Sequence, residues 1–307
     1  MSRFIRPSFV RVLALIVTLG VALLIAAPAA RADESGALYR QGMALKNQGK
    51  DDEAIAAFEK AVAENPKHGM AWASLGHLYK KKKEYDKSVA AYEHATEIIT
   101  KDGTLWSNLG MAYYRAGRTD EALVALTKAC RLLPGDAEVQ ANLGTLKRQK
   151  GDVKGAVIHL QYAVRYAPKE ATYQNNLGVA LRADNRLPDA VKAFETAIEL
   201  APNEAEYHFN LAVVYRRQEE VDKAIQHYEK AVALTPDMAD AWYDLGHMYR
   251  LNHENDKAIN AFNTFLELNK GKDAAAAARV EGEIEALGGK PVSKDKPKGK
   301  GGKKPKK

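Results

Sequence analysis

The triplet Asn108-Leu109-Gly110 returns as Asn142-Leu143-Gly144 and again as Asn176-Leu177-Gly178, each time 34 residues further on. Relaxed forms continue at the same step: Arg40-Gln41-Gly42, Ser74-Leu75-Gly76, Asn210-Leu211-Ala212 and Asp244-Leu245-Gly246. Seven copies therefore run without an insertion from Ser35 to about Lys272. A unit this short cannot bury a hydrophobic face alone, so neighbouring copies must cover one another. The period dictates one elongated array in place of the two globular domains that 307 residues would otherwise suggest.

The copies begin at Ser35, Gly69, Gly103, Ala137, Ala171, Ala205 and Ala239. Counting from there, positions 4, 7, 8 and 11 of the second copy hold Trp72, Leu75, Gly76 and Tyr79, an i, i+3, i+4, i+7 set on one helical face. Positions 20, 24 and 27 alternate small and large residues, as in Ala54, Phe58 and Ala61 or Ala224, Tyr228 and Ala231, which predicts a second helix. Between the two lies a polar turn with Gly49, Gly117, Gly151 or Asn185 at position 15, residues that accept a left-handed backbone. Asp52, Asp86, Asp120, Asp222 and Asp256 follow at position 18, where a carboxylate can cap the second helix. Proline closes most copies at position 32 (Pro66, Pro134, Pro168, Pro202, Pro236).

This order of residues at this period resembles the tetratricopeptide repeat over Ser35 to about Lys272. The resemblance implies an all-α fold: antiparallel helix pairs stacked into a right-handed superhelical solenoid, the first helix of each pair lining the concave side. Some copies depart from the pattern. Gln140, Gln174 and His208 stand at position 4 and Lys147 at position 11, where apolar burial would stabilise by about 1.5–3 kcal/mol, so the middle of the array is expected to be its softest part. The seventh copy has Phe265 and Lys270 in place of its small residue and proline. An Ala-rich segment, about Asp273 to Leu287, is expected to form a helix that caps the last exposed face.

Charge is concentrated at the ends. The formal net charge is +7, but residues 1–32 carry +4 and residues 290–307 carry +8, leaving the repeats at −5. A basic isoelectric point is thus no nucleic-acid signature of the folded body. Arg3, Arg6 and Arg11, the apolar run Val12 to Ala27, and Ala30-Arg31-Ala32 have the anatomy of a secretory signal ending before Asp33. An uncleaved N-terminal anchor is the other reading, and both place the repeats outside the cytoplasm, in the periplasm or cell envelope. Residues 33–272 then hold the seven repeats, 273–289 the cap, and 290–307 a Lys/Gly/Pro tail with nothing to bury, expected to be disordered.

No catalytic, nucleotide-binding or calcium motif is present, which argues against an enzyme and implies no cofactor. The eight histidines show no convergent metal-ligand spacing. Cys130, the only cysteine, rules out an intramolecular disulfide and sits where other copies hold Val62, Thr96, Val164, Ile198, Val232 and Leu266, so it reads as a small core residue.

The informative residues lie on the other face of the first helix. Positions 2, 5, 6, 9, 12 and 13 span about 120° opposite the core stripe and carry ten cations against four carboxylates, +6, which leaves the rest of the repeats at −11. Two rows compose this face. Position 6 supplies Asn108, Asn142, Asn176 and Asn210, amides able to donate to and accept from an extended peptide backbone. Position 12 supplies Arg148, Arg182, Arg216 and Arg250, forks suited to carboxylates or phosphates. The Asn row is similar to the one lining the superhelix of O-linked N-acetylglucosamine transferases, which implies backbone gripping of a client. The Lys and Asn set by which other tetratricopeptide domains clamp chaperone C-termini is absent: position 5 is mostly small or aromatic and position 9 holds no Asn.

The sequence thus predicts a non-enzymatic scaffold for a protein or peptide partner, binding an acidic or anionic extended segment in its groove. A second reading is a tether whose lysine tail meets anionic lipid or envelope polymer. Nucleic acid is disfavoured by the compartment.

Overall fold

The computed structural model describes residues 34–269 and 271–292. The expected signal segment, and the tail beyond residue 292, lie outside the described residues. Among the described residues fifteen helices follow one another: α1 (34–47), α2 (Asp51–Glu64), α3 (Gly69–Lys81), α4 (Tyr85–Ile98), α5 (Gly103–Arg115), α6 (Thr119–Leu132), α7 (Ala137–Gln149), α8 (Val153–Tyr166), α9 (Ala171–Ala183), α10 (Leu187–Leu200), α11 (Ala205–Arg217), α12 (Val221–Leu234), α13 (Ala239–Leu251), α14 (Asn255–Asn269) and α15 (Ala274–Ala286). No strand occurs among the described residues. The chain divides within α7 into two compact units, one ending at Leu146 and the other beginning at Lys147.

Within each unit the same residues build each helix pair. Phe58, Tyr92 and Leu126 in the first unit, and Leu160, Phe194, Tyr228 and Phe262 in the second, occupy position 24 and are at most 1% exposed. Phe58, Tyr92, Leu126, Phe194 and Phe262 fill the space left by the missing side chain of Gly42, Gly76, Gly110, Gly178 and Gly246 at position 8 of the preceding helix. A Cβ on Gly178 would lie 2.7 Å from the Phe194 ring, and one on Gly76 would lie 2.8 Å from Tyr92. The small residue is therefore required by close helix approach, and burial of position 24 stabilises by about 1.5–3 kcal/mol per copy.

The turn between paired helices is equally regular. Position 15 is left-handed in all seven copies, at Gly49, Gly117, Gly151 and Asn185 as expected, and also at Lys83, Glu219 and His253, with φ near +60°. The next residue's N–H reaches back to the carbonyl of position 11, as in Glu84 to Tyr79 at 2.9 Å and Glu220 to Tyr215 at 3.0 Å, closing the first helix. The position-18 aspartates do not cap. They sit in the first turn of the second helix, two residues past the capping position, which is occupied by residues such as Lys50, Glu84 and Arg118 without a side-chain cap bond. Their contribution is the favourable placement of negative charge near a helix N-terminus, typically about 0.3–1 kcal/mol. Only Asp152 among the described residues at this turn caps, accepting from the Gly155 N–H at 2.9 Å.

Position 4 has a physical role that its composition concealed. Trp72, Trp106 and Trp242 donate their indole N–H to the carbonyl six residues earlier, at 2.9–3.0 Å on Pro66, Thr100 and Pro236. Gln140 makes the same bond to Pro134 at 2.7 Å, and His208 to Pro202 at 3.1 Å, while only 4% and 3% exposed. These residues are buried donors retained for a main-chain acceptor, so the expectation that they merely forfeit burial is corrected. Lys147, in place of a tyrosine, pairs with Asp152 at 2.7 Å.

A second tie joins successive copies: tyrosine at position 11 donates to glutamate at position 25 of the preceding copy. Tyr79–Glu59 (2.5 Å), Tyr113–Glu93 (2.6 Å), Tyr215–Glu195 (3.2 Å) and Tyr249–Glu229 (2.6 Å) are its four instances among the described residues. Helix α15 covers α14, burying Val280 and Ile284, and Val292 and Lys290 bond Asn263 on α14, so the chain still packs on the last repeat past residue 289.

Candidate functional site

The two rows singled out from the sequence stand on the first helices, α5, α7, α9, α11 and α13, and the structure links them. The position-12 cation of one copy reaches the position-6 residue of the next, 28 residues on. Lys80 Nζ donates to Asn108 Oδ1 at 3.3 Å in the first unit. In the second, Arg182 donates to Asn210 Oδ1 at 3.4 Å, and Arg216 meets Asp244 at 3.3 Å. Arg250, with no further repeat to face, pairs with Glu283 of α15 at 3.4 Å.

These rungs divide the eight residues by what they have left to give. Asn108 and Asn210 already accept from a cation, and Asn210, only 6% exposed, also donates to Asn175 Oδ1 at 3.0 Å. Arg216 and Arg250 are neutralised by internal carboxylates. Asn142 and Asn176 are half-buried and, among the described residues, have no side-chain hydrogen-bond partner. Arg148, half-buried as well, has no carboxylate or hydrogen-bond partner among the described residues. Arg182 has the Asn210 amide and, among the described residues, no carboxylate.

The electrostatics follow. Burial pushes the Arg182 guanidinium below its ordinary range, and the nearby positive charges of Arg217, Arg148 and Arg216 push it further the same way. Arg217 donates to the Arg182 carbonyl and to Asn185 Oδ1, both at 3.0 Å, so its charge meets only neutral acceptors. Burial raises the Asp244 carboxyl, against the opposing pull of Arg216 and of the Tyr228 hydroxyl at 3.0 Å. In the first unit, burial lowers His77, helped by Lys46, Lys80 and Lys81. Both units thus carry positive first-helix faces, and an incoming anion would relieve repulsion in each.

Two features of this region were missed in the sequence. Asn175, buried at position 5, donates to Glu206 at 3.4 Å and anchors Asn210; a polar residue at a mostly small or aromatic position was its signal. His208 and His227, 19 residues apart, place their Nδ1 atoms 3.1 Å from each other. No group of three potential metal ligands occurs among the described residues, and no described helix is long and apolar enough to cross a membrane. Cys130 is half-buried, and burial raises its thiol, keeping it protonated.

The family model described as the cilia and flagella-associated protein 70 C-terminal domain, a tetratricopeptide array, matches residues 14–240, and a tetratricopeptide-repeat model matches residues 227–260. The chain belongs to the tetratricopeptide-repeat family. Solved tetratricopeptide structures agree. YrrB, described as a tetratricopeptide protein with an unusual peptide-binding site, is 26% identical with a TM-score of 0.54, over 60% of this chain and 95% of its own. MamA is 27% identical with a TM-score of 0.50, over 53% and 96%. The C-terminal part of a tetratricopeptide protein from Cytophaga hutchinsonii shares the fold with a TM-score of 0.63 at 18% identity, over 78% and 98%. A search of curated proteins gives no significant match. This tetratricopeptide protein is therefore a protein–protein interaction scaffold, in a family whose members are typically non-catalytic.

Proposed function

We propose that this tetratricopeptide protein is an exported scaffold that holds an extended acidic segment of a protein partner against the first-helix face of its second unit. The observation that carries the reading is the contrast along one row: Arg216 and Arg250 each have an internal carboxylate, whereas Arg148 and Arg182 have none among the described residues. Internal acids occupy the far end of the row and leave the near end to a ligand. Asn176, on the same face, offers an amide to the ligand backbone. The peptide-binding site named for YrrB supports a peptide as the class of ligand. Export rests on residues 1–32, whose basic start, apolar run and Ala-x-Ala end suit a secretory signal.

Charge-assisted bonds contribute about 1.5–3 kcal/mol each, offset by ordering of a flexible client, which places the affinity near the micromolar range. The test is charge reversal at Arg148 and Arg182, residues whose replacement breaks no internal ion pair among the described residues. Capture of envelope partners should fall with circular dichroism unchanged. Unchanged capture would remove the second-unit face as the site. The nine lysines between 290 and 307 favour a second contribution, attraction to anionic lipid or polymer, which survives the reversal and is lost on removal of the tail.

A further inference from the structure

We propose that Arg148, Arg182 and Asn176 form a site for a phosphomonoester borne on the bound segment, in preference to a run of single carboxylates. This inference rests on the acidic-segment reading above and narrows it to one anion.

The rung pattern supplies the geometry. Lys80–Asn108, Arg182–Asn210 and Arg216–Asp244 all join position 12 to position 6 of the next copy. Arg148 and Asn176 have the same 28-residue relation and do not bond each other. At this rung the guanidinium of Arg148 and the amide of Asn176 both keep their N–H groups, and Arg182 keeps those not used by Asn210. Among the described residues, the position-12 arginine of every other rung of the second unit already donates to a partner. At Arg182 the nitrogen donates to a neutral amide, at Arg216 to a buried carboxylate, and at Arg250 to Glu283.

Charge then selects the ligand. Asp244 offsets Arg216 and Glu283 offsets Arg250. Arg217 approaches the main chain of Arg182 and uses its terminal nitrogens on the Arg182 carbonyl and Asn185, so its charge stays uncompensated. Glu206, the carboxylate that enters this cluster, is held by the Asn175 amide at 3.4 Å and not by a guanidinium. Three charges, those of Arg148, Arg182 and Arg217, are thus concentrated on adjoining first helices. One carboxylate supplies a single charge and two oxygens. A phosphomonoester supplies about −1.5 to −2 charges and three acceptor oxygens at one point, matching two forks and an amide.

The experiment is fluorescence anisotropy on the full chain with three labelled Gly/Ser/Ala peptides that differ at one central residue: phosphoserine, glutamate or serine. The expected result is phosphopeptide binding about tenfold tighter than the glutamate peptide, with weaker binding still for serine. That preference should vanish in Arg148→Gln and in Asn176→Asp, which puts a carboxylate on the rung while keeping Arg148, and should persist in Arg250→Gln. Circular dichroism confirms folding of each variant. Inorganic phosphate should compete only at far higher concentration than the phosphopeptide; competition at equal concentration would overturn a segment-borne ligand in favour of the free anion. Equal affinity for the phosphoserine and glutamate peptides would overturn the phosphate assignment and leave the acidic-segment reading standing. Binding of neither charged peptide above the serine control would overturn both.

Discussion

The His208–His227 pair gives stability a pH dependence whose sign can be worked out from the geometry. His208 Nε2 lies 3.1 Å from the Pro202 carbonyl and must donate to it, so its Nδ1 can only accept, from the Nδ1–H of His227 at 3.1 Å. Burial keeps both rings neutral near pH 7, the state in which this donor and acceptor order holds. Burial lowers each, with Lys230 adding to the effect on both, and His227 falls from 6.5 to about 4; Tyr215 stacks against it at 5.7 Å. Because the folded values are depressed, the unfolded chain binds protons that the folded chain refuses as pH drops below about 6.5. The stabilisation is complete above that pH and is lost progressively toward about pH 4. A tenfold weaker affinity for the proton corresponds to about 1.4 kcal/mol, so at pH 5 His227 accounts for at most about 2 kcal/mol, and about 1 kcal/mol once solvent at the half-buried ring is considered. His77, His159 and His247 are lowered too, so the measurement must be differential. His227→Asn keeps an amide donor near the Nδ1 position and removes the titration. Urea midpoints followed by circular dichroism at about pH 7.5 and about pH 5 should show the wild type losing about 1 kcal/mol more than the variant. Equal losses would refute the neutral-pair reasoning.

Other consequences follow from the repeat geometry. Gln140→Leu, though it adds an apolar side chain to the core, should destabilise by about 1–2 kcal/mol because the Pro134 carbonyl loses its donor, measurable as a lower urea midpoint. Lys83→Gly should stabilise by about 0.5–1 kcal/mol in the same assay, since Lys83 holds φ at +62° where glycine is unstrained. Gly178→Ala should cost about 1–3 kcal/mol through contact with the Phe194 ring, with part of the loss recovered by Phe194→Leu. Removing residues 293–307, which spares the Val292–Asn263 bond, should abolish sedimentation with anionic vesicles and leave the urea midpoint unchanged; retained sedimentation would exclude a tethering tail.

Much of the fold was legible because its cause is periodic. Alanine at positions 20 and 27, a large residue at 24 and glycine at 8 pack against one another in nearly every pair, and that regularity survives without coordinates. What escaped was finer than the period or crossed between copies. Asp52 and its equivalents were assigned a capping role because two residues separate a cap from the first turn, and a carboxylate favours both. Trp72 looked apolar since its indole N–H is invisible to a hydrophobic pattern, and this hid why Gln140 and His208 can replace it. The Asn and Arg rows were visible as rows, but the rungs between them depend on the stacking register of neighbouring copies. Only that register separates Arg148 and Arg182, which lack carboxylates among the described residues, from Arg216 and Arg250, which have them.

The central claim is that the partner lies on the first-helix face of the second unit. Site-specific photocrosslinking in intact cells tests it most directly, with the photoreactive residue at Val179, position 9 of α9, and in a parallel strain at Lys192, exposed on the second helix α10. The account predicts a discrete partner crosslinked from Val179 and lost when Arg148 and Arg182 are reversed in charge, with none from Lys192. A partner captured from Lys192 alone, or from Val179 irrespective of the two arginines, would contradict it.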